Sequence, residues 1–234
     1  MGARIFVVTG TDTGVGKTVL TVLLARHLHA AGVRVAALKP VSSGTRNDAR
    51  ALRAALGGRL TLDEINPWHF RAPVAPLLAA RLEKRRVRLA DVVDHTRAMA
   101  RRCDVLLVEG AGGLMSPIGE IFTTGDLLAP LKAVPIIVTP NRLGAVNQVL
   151  LVLHTLPVAA AKTARVVLMA PLRPDMATRS NARLLAELVG KARIHVLPWL
   201  SRRARSPRVK ASPAIVRTLA RFLLPLPRGR NSTS

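Results

Sequence analysis

A glycine-rich segment between two apolar stretches constrains this chain more than any other feature. Residues 9–18 read Thr-Gly-Thr-Asp-Thr-Gly-Val-Gly-Lys-Thr, directly after the apolar run 5–8 and directly before the apolar-periodic stretch 19–31. This order predicts a strand, a tight turn and a helix. Glycines let a backbone wrap a polyphosphate where a Cβ would collide, and N–H groups at the positive end of a helix bind the anion. We therefore predict a phosphate-binding loop in which Lys17 reaches the terminal phosphates and the Thr18 hydroxyl ligates Mg²⁺.

The spacing of this loop departs from the usual pattern. Five residues separate Gly10 from Gly16, one more than in the usual Gly-xxxx-Gly-Lys-Ser/Thr motif. A glycine turn with a chance lysine is the alternative interpretation. The strand, the turn and the helix all occur where phosphate binding needs them, which favours the phosphate loop.

Chain length and alternating apolar patterns predict one α/β domain. A chain of 234 residues with 49% hydrophobic residues can bury a substantial core. The predicted strands are 4–9, 33–39, 104–109, 134–139, 165–170 and 193–198, and the predicted helices are 18–31, 47–56, 89–102, 144–156 and 178–189. Short, nearly all-apolar strands are typical of a mostly parallel sheet with helices on both faces. We expect residues 1–200 to form this domain and 201–234 to form a basic tail with one short helix at 214–224 and a disordered end.

The residues that can do chemistry follow the predicted strands. The segments 9–18, 39–44, 109–113 and 141–144 each come directly at the end of a strand. In open α/β sheets, ligands bind outside the carboxyl ends of the strands. We therefore expect these strand ends to converge on one site.

The charge of the chain is strongly positive. A formal net charge of +23 is typical of proteins with nucleic-acid or anionic-membrane partners. However, only the segment from Ser201 onward is a basic block without acids, and aromatic residues make up just 3% of the chain. A stacking platform for single strands is therefore disfavoured, and we expect no specific nucleic-acid partner.

Cysteine usage and hydropathy point to a cytoplasmic protein without a membrane partner. Cys103 is the only cysteine, which excludes an intrachain disulfide and a cysteine-based metal site. The N-terminus lacks the pattern of a secretory signal, and no uninterrupted apolar stretch reaches the roughly 20 residues that span a bilayer. Binding of the amphipathic segment 214–224 to a membrane surface, rather than to the domain, is the alternative for that piece.

Three charged residues are candidates for the chemistry. Lys39 ends a predicted buried strand, where an unpaired ammonium is costly, so an anionic partner is expected. A lysine that snorkels from the strand end is the alternative. Glu109 ends another strand before a run of glycines, which suits a Mg²⁺ ligand that faces the phosphate loop. Asp48 is a candidate second carboxylate, although its place before a helical pattern equally suits an N-cap.

A further candidate is the segment that opens the predicted helix at 144–156. Gly144 and Ala145 follow a strand, and the exposed N–H groups there, together with the Asn147 side chain, favour a carboxylate pocket. A simple glycine turn into a core helix is the alternative.

Seven motifs, taken together, resemble the dethiobiotin synthetase family. They are Thr9-Gly10-Thr11-Asp12-Thr13-x-Val15-Gly16-Lys17-Thr18, Lys39-Pro40-Val41-x-Ser43-Gly44, Asp48-Ala49-x-x-Leu52, Asn66-Pro67-x-x-Phe70, Val108-Glu109-Gly110-Ala111-Gly112-Gly113, Leu143-Gly144-x-x-Asn147 and Pro198-Trp199-Leu200. They span residues 4–200 in the family's order, and the longer spacing in the phosphate loop is also the family's. The resemblance implies a single-domain P-loop NTPase fold.

The resemblance also implies an activity and its participants. The expected enzyme is a ligase of biotin biosynthesis that uses ATP, Mg²⁺ and CO₂ or bicarbonate to convert 7,8-diaminononanoate to dethiobiotin, and the family is a homodimer. The resemblance assigns catalysis to Lys17 and Lys39, and magnesium to Thr18, Asp48 and Glu109. It assigns nucleotide binding to Thr13, Gly14, Val15, Gly16, Lys17, Thr18, Asp48, Glu109, Gly112 and Pro198. It assigns substrate binding to Ser43 and, on the substrate of the neighbouring subunit, to Gly144, Ala145 and Asn147.

The sequence leaves open the preferred nucleotide base, because of one departure from the family, and two alternative functions. Family members usually place an asparagine after the fifth core strand to read adenine, whereas this chain has Met169-Ala170-Pro171. The preferred nucleotide base is therefore not fixed by the sequence. A related P-loop amide-forming ligase is one alternative, disfavoured because no glutaminase domain is attached. A partition-type nucleotide-switch ATPase that binds nucleic acid is the other, disfavoured because Asp12 stands where such ATPases carry a second lysine; salt-sensitive DNA binding would favour it.

Overall fold

A computed structural model describes residues 2–201 and 214–224. The strands in these ranges are β1 Arg4–Gly10, β2 Val35–Leu38, β3 Val41–Ser43, β4 Trp68–Phe70, β5 Val105–Glu109, β6 Pro117–Gly119, β7 Phe122–Thr123, β8 Val134–Pro140, β9 Arg165–Met169 and β10 Ile194–Leu197. The helices are α1 Lys17–Ala30, α2 Asn47–Ala55, α3 Leu62–Ile65, α4 Pro76–Leu82, α5 Leu89–Ala100, α6 Leu128–Leu131, α7 Ala145–Thr155, α8 Val158–Thr163, α9 Met176–Val189 and α10 Ala214–Leu223.

The centre of the molecule is a six-stranded sheet in the order β10-β9-β8-β1-β5-β2, and every pair of neighbours is parallel. All five residues of β5 are buried, and the first four are apolar, as expected when helices cover both faces of a parallel sheet. Two clusters of buried apolar side chains lie on the two faces of the sheet. The prediction of a mostly parallel α/β fold is confirmed, and each predicted strand of the sheet begins and ends within two residues of its observed bounds.

Several short elements were missed by sequence reasoning. Strands β3 and β4 pair as a small parallel sheet, and β6 and β7 pair as an antiparallel hairpin. These strands have two or three residues each, which is too short for an alternating pattern to develop. The short helix α3 was missed for the same reason, although Thr61 and Glu64 before and within it form a capping box.

The C-terminal helix α10 packs on the domain. Its residues Val216, Leu219 and Leu223 are fully buried and belong to the apolar cluster that α1 also joins. Arg4, at the start of β1, donates a hydrogen bond of 2.9 Å to the carbonyl of Phe222 and lies over its ring. The prediction of a helix at 214–224 that packs on the domain therefore agrees with the structure.

The rest of the predicted tail, 202–213 and 225–234, lies outside the described residues. Its separation from the domain at residue 200 and its disordered end stay predictions. Among the helices of the described ranges, none has the length and apolarity of a membrane-crossing segment.

Candidate functional site

The charged residues predicted for the site meet at the carboxyl edge of the sheet. Lys17 follows β1 across the glycine-rich loop, Lys39 follows β2, and Glu109 is the last residue of β5, which lies between β1 and β2 in the sheet. Lys39 Nζ lies 2.8 Å from Glu109 Oε1 and also forms an ion pair with Asp48. The Thr18 hydroxyl donates a hydrogen bond of 2.6 Å to the same Glu109 oxygen. Three separate strand ends therefore place their side chains in one cluster.

The backbone of the phosphate loop requires glycine at two positions. Gly14 and Gly16 have φ angles of +73° and +102°, a region that residues with a Cβ rarely adopt. Gly16 directly precedes the first helical residue, Lys17, so the N–H groups of the first turn of α1 face the loop. The Lys17 ammonium donates 2.8 Å to the carbonyl of Asp12 across the loop. The loop thus has the conformation of an anion-binding turn at a helix N-terminus.

The two lysines of the cluster have different electrostatic environments. Lys17 is 6% exposed, and burial, followed by the charge of Lys39, lowers its pKa from 10.5 to about 8. Burial also lowers the pKa of Lys39, but the carboxylates of Glu109 and Asp48 outweigh burial, and its pKa is raised overall. Lys39 is therefore a permanent cation of the site, whereas Lys17 titrates near physiological pH.

The cluster also has a suitable donor set for Mg²⁺. The second carboxylate oxygen of Glu109, Oε2, is buried and accepts no hydrogen bond from any described residue. Thr18 supplies a hydroxyl beside it, and Asp48 supplies a half-exposed carboxylate on the other side of Lys39. Within the described ranges no group of three or more His, Cys, Asp or Glu residues forms a metal cage. One or two carboxylates and a hydroxyl, completed by water and phosphate oxygens, are what Mg²⁺ takes at nucleotide sites.

The alternative interpretation of Asp48 as an N-cap is wrong. The N-cap of α2 is Arg46, and Asp48 lies within the first turn. Its carboxylate pairs with Lys39 instead of with the helix backbone. The alternative of a snorkelling Lys39 is also wrong, because the Lys39 side chain is 10% exposed and its ammonium is held by two carboxylates.

Two cavities flank the phosphate loop. The first has a volume of about 350 Å³ and lies between the loop and the ends of β9 and β10. Its lining consists of Gly14, Val15, Gly16, Val19, Pro140, Asn141, Arg142, Met169, Ala170, Pro171, Leu197, Pro198, Trp199 and Leu200. A largely apolar slot beside a phosphate loop has the chemistry to hold a nucleotide base.

The amide of Asn141 in this cavity is used inside the protein. Its Nδ2 donates 2.9 Å to the carbonyl of Thr178, and its Oδ1 accepts a hydrogen bond of 3.0 Å from Asn181. Apart from the indole N–H of Trp199, the remaining neutral side chains around the cavity are apolar. Because Asn141 is only 2% exposed, no exposed side-chain amide lines this cavity among the described residues.

The second cavity is larger, about 610 Å³, and lies on the other side of the cluster. Lys39, Ser43, Asp48, Thr13 and Gly112 are among its lining residues. The apolar residues Pro73, Val74, Ala75, Pro76 and Pro117 also line it. This cavity therefore offers both charged groups and an apolar surface.

Comparison with known proteins agrees with the geometry. A family model described as an AAA domain matches residues 4–205. The chain is 41% identical to the ATP-dependent dethiobiotin synthetase BioD of Anaeromyxobacter dehalogenans strain 2CP-C, over 85% of this chain and 93% of that protein. It is 34% identical to the protein of the same name from Bacillus licheniformis, over 83% and 86% of the two chains. The chain belongs to the ATP-dependent dethiobiotin synthetase family.

Membership of this family makes the chain an enzyme, a ligase that consumes ATP. Among solved structures, it is similar to a chain of the MinC:MinD cell division protein complex of Aquifex aeolicus, with a TM-score of 0.59 over 97% of this chain and 99% of that one. The identity of 20% limits this second likeness to the fold.

Not every residue that the dethiobiotin synthetase resemblance singled out lies at the cluster. Gly144 precedes α7 with a φ of +87°, Ala145 is fully buried, and Asn147 is exposed. These residues line neither cavity of the same chain. Their predicted role concerns the neighbouring subunit and stays a prediction.

Sequence reasoning assigned no role to two buried amides, Asn66 and Asn141. Asn66 is fully buried, and Asn141 is 2% exposed. Asn141 directly follows the apolar strand β8, where an asparagine has little reason to occur unless its amide is hydrogen-bonded. That position was the available signal for Asn141. Asn66 follows the charged stretch Leu62-Asp63-Glu64-Ile65 and had no such signal.

The lowered pKa of Lys17 predicts that nucleotide binding weakens in alkaline solution. In the free protein Lys17 loses its proton as the pH rises through about 8, and a bound polyphosphate favours the charged form. Binding above this pH therefore takes up a proton, and the affinity should fall by up to about tenfold per pH unit. Calorimetry with a non-hydrolysable ATP analogue between pH 7 and 9.5 measures this slope.

A control for this prediction is the Lys17→Arg variant. Its guanidinium stays charged throughout the range, so its affinity should show no such slope. Proton uptake that is equal in the two proteins would assign the effect to another group.

Proposed function

We propose that this enzyme converts 7,8-diaminononanoate, CO₂ or bicarbonate, and ATP to dethiobiotin, ADP and phosphate, with Mg²⁺ as the metal ion. The relatives named above support the product, since each is named a dethiobiotin synthetase. The observation that carries the proposal is the meeting of Lys17, Lys39, Glu109 and Thr18 beside the phosphate loop. Phosphoryl transfer to a substrate oxygen requires this kind of charge neutralisation and positioning.

The proposed reaction has three steps. CO₂ first adds to one amine of the substrate and releases a proton, which gives a carbamate. A carbamate oxygen then attacks the γ-phosphorus, ADP leaves, and a carbamic-phosphoric anhydride results. The second amine finally attacks the anhydride carbon, which closes the ureido ring and expels phosphate. No step needs a nucleophile from the protein, so the catalytic work is positioning and electrostatic stabilisation.

The proposed roles follow from where the charges lie. The loop Gly14–Lys17 binds the phosphates through its backbone N–H groups, with Thr13 and Gly112 at its border with the second cavity. The Lys17 ammonium neutralises charge on the terminal phosphate, and Lys39 neutralises charge on the carbamate. Thr18, Asp48 and Glu109 would hold Mg²⁺. The ion, when bound, orients the phosphate oxygens and offsets the charge that develops on them.

The two cavities suit the two organic substrates. We assign the apolar slot that Val15 and Pro198 help to line to the nucleotide base. We assign the second cavity to 7,8-diaminononanoate, with its amines near Lys39 and Ser43 and its alkyl chain along the proline-rich wall at 73–76. A diamine with a long apolar chain matches a cavity that is lined by both charged groups and apolar residues.

We further propose that the enzyme is a homodimer. In the described chain Leu143, in the loop before α7, and Leu151, on α7 itself, are 81% and 60% exposed. Exposed apolar side chains on and beside one helix are typical of a protein interface. Gly144, Ala145 and Asn147 lie at the same end of this helix, where they can receive the substrate carboxylate of the neighbouring subunit.

The decisive experiment supplies purified protein with diaminononanoate, bicarbonate, Mg²⁺ and ATP and detects dethiobiotin by mass. We expect dethiobiotin and ADP in equal amounts, and neither without the diamine. Hydrolysis of ATP at the same rate with and without the diamine, and no dethiobiotin, would refute the proposal. Salt-sensitive retention of DNA in that case would favour a nucleotide switch.

The apolar slot predicts weak selectivity among nucleotide bases. A site rejects an analogue strongly when its own buried polar groups are left unpaired. The side-chain amide that lines this slot among the described residues, Asn141, is buried and hydrogen-bonded to Thr178 and Asn181. We therefore expect rates with GTP and CTP within about tenfold of the ATP rate. The Ala170→Asn variant, with an amide where family members usually have one, should gain preference for ATP. A strong preference for ATP in the unmodified enzyme would contradict this prediction.

A further inference from the structure

Asn66 is a buried residue whose side-chain amide forms hydrogen bonds with groups next to the charged cluster. It follows α3 and is fully buried. Its Nδ2 donates 2.7 Å to the carbonyl of Lys39. Its Oδ1 accepts hydrogen bonds from the Ser42 hydroxyl at 3.0 Å and from Arg46 Nε at 3.2 Å. Asn66 touches none of the side-chain atoms to which a role in the reaction is assigned above.

The first of these contacts lies where the chain leaves the main sheet. Strand β2 ends at Leu38, and β3 starts at Val41 in the small sheet, so the peptide carbonyls of Lys39 and Pro40 have no partner strand of the main sheet. The Asn66 amide satisfies the carbonyl of Lys39, and the Trp68 N–H satisfies that of Pro40 at 3.1 Å. A buried carbonyl without a partner is costly, so these bonds fix the bend. The bend in turn determines where the Lys39 side chain starts.

The second contact connects Asn66 to the helix that carries Asp48. Arg46 is the N-cap residue of α2, and its guanidinium also donates to the backbone carbonyl of Asn66 at 2.8 Å. A further ion pair of 2.8 Å with Asp63 holds the guanidinium in place. Asp48 lies two residues after Arg46, in the first turn of the same helix. One side chain therefore fixes both the strand end with Lys39 and the helix start with Asp48.

We infer that Asn66 is a positioning residue that fixes the positions of Lys39 and Asp48 relative to each other. Its importance for turnover rests on the proposed function. The phosphate loop has its own supports, because Lys17 bonds to the carbonyl of Asp12 and Thr18 bonds to Glu109. Loss of the Asn66 amide should therefore impair the step that uses Lys39 more than it impairs nucleotide binding, to which Asp48 contributes only in part. Loss of a residue with a general structural role would lower stability without impairing the Lys39 step more than nucleotide binding.

The test compares Asn66→Ala with Thr61→Ala. Thr61 caps the helix that ends at Asn66 and has no contact with the Lys39 bend, so its removal weakens the same segment. We expect kcat of Asn66→Ala to fall about 10- to 100-fold while its KM for ATP changes less than about threefold. Thr61→Ala should keep kcat near that of the unmodified enzyme although its melting temperature also falls. Equal kcat values in the two variants, well below both melting temperatures, would overturn the inference.

A second measurement does not depend on the reaction. Reductive methylation followed by mass spectrometry reports how accessible each lysine ammonium is, and Lys39 is shielded by its two carboxylates. In ligand-free Asn66→Ala, Lys39 should be labelled faster than in the unmodified protein, whereas Lys17 and the exposed Lys162 should not change. Thr61→Ala should show no change at any of the three. Unchanged labelling of Lys39 in Asn66→Ala would overturn the inference even if the protein makes no dethiobiotin, an outcome that separately refutes the proposed function.

Discussion

The Lys17→Ala variant will lose activity by on the order of 10³-fold in kcat/KM, the largest effect that we expect from a single change in the phosphate loop. Lys17 is buried, starts α1 and places its ammonium inside the loop, where water competes weakly with the phosphates. Removing this charge leaves the negative charge that develops during phosphoryl transfer without its nearest cation. The formation of ADP that depends on the diamine measures the loss.

Stability separates this loss from misfolding. Burial opposes the charged form of Lys17, so its removal relieves a desolvation cost and the melting temperature should stay within about 5 °C of the unmodified value. Lys162→Ala is the matched control, because it makes the same chemical change on an exposed residue of α8 that lines neither cavity. Turnover of Lys17→Ala close to that of Lys162→Ala would refute the role given to the loop lysine.

The parts of the site that the sequence predicted are those fixed by the backbone. A loop that needs φ angles of +73° and +102° requires Gly14 and Gly16, so the loop is readable as a pattern. The strands of the main sheet are similarly readable, since burial on both faces demands continuous apolar runs such as Val105–Val108. Because parallel strands present their carboxyl ends at one edge, the meeting of Lys17, Lys39 and Glu109 followed from the order of these elements.

The partners of individual side chains could not be predicted in the same way. The sequence placed Asp48 equally well at a helix cap and at the metal site, because the choice depends on how α2 is turned toward β2. The structure decides for the pair with Lys39. Asn66 had no assigned role, since its contacts join segments about 20 to 27 residues apart through a bend that has no periodic pattern. Tertiary hydrogen bonds of this kind leave no local signal, because Asn66 follows a charged stretch in which another polar residue does not stand out.

The Lys39→Met variant will lose both activity and stability, unlike Lys17→Ala. Methionine keeps much of the length and volume of the side chain but removes the ammonium that holds Glu109, whose side chain is fully buried. Removing one partner of a buried ion pair lowers the free energy of unfolding by about 3–5 kcal/mol, because the other charge stays buried and uncompensated. Asp48 contributes less to this loss, since its side chain is 44% exposed and water can solvate it. Turnover should fall on the order of 10³-fold, measured as dethiobiotin formed.

The double variant Lys39→Met, Glu109→Gln separates the two losses. With both partners neutral, no buried charge is left unpaired, and most of the lost free energy of unfolding should return. Activity should not return, because the cation beside the carbamate and a carboxylate assigned to Mg²⁺ are both absent. Denaturant unfolding and product formation on the same preparations test these outcomes together. A double variant that regains turnover along with stability would show that Lys39 and Glu109 serve the fold alone, and the proposed chemistry would then lack its central charges.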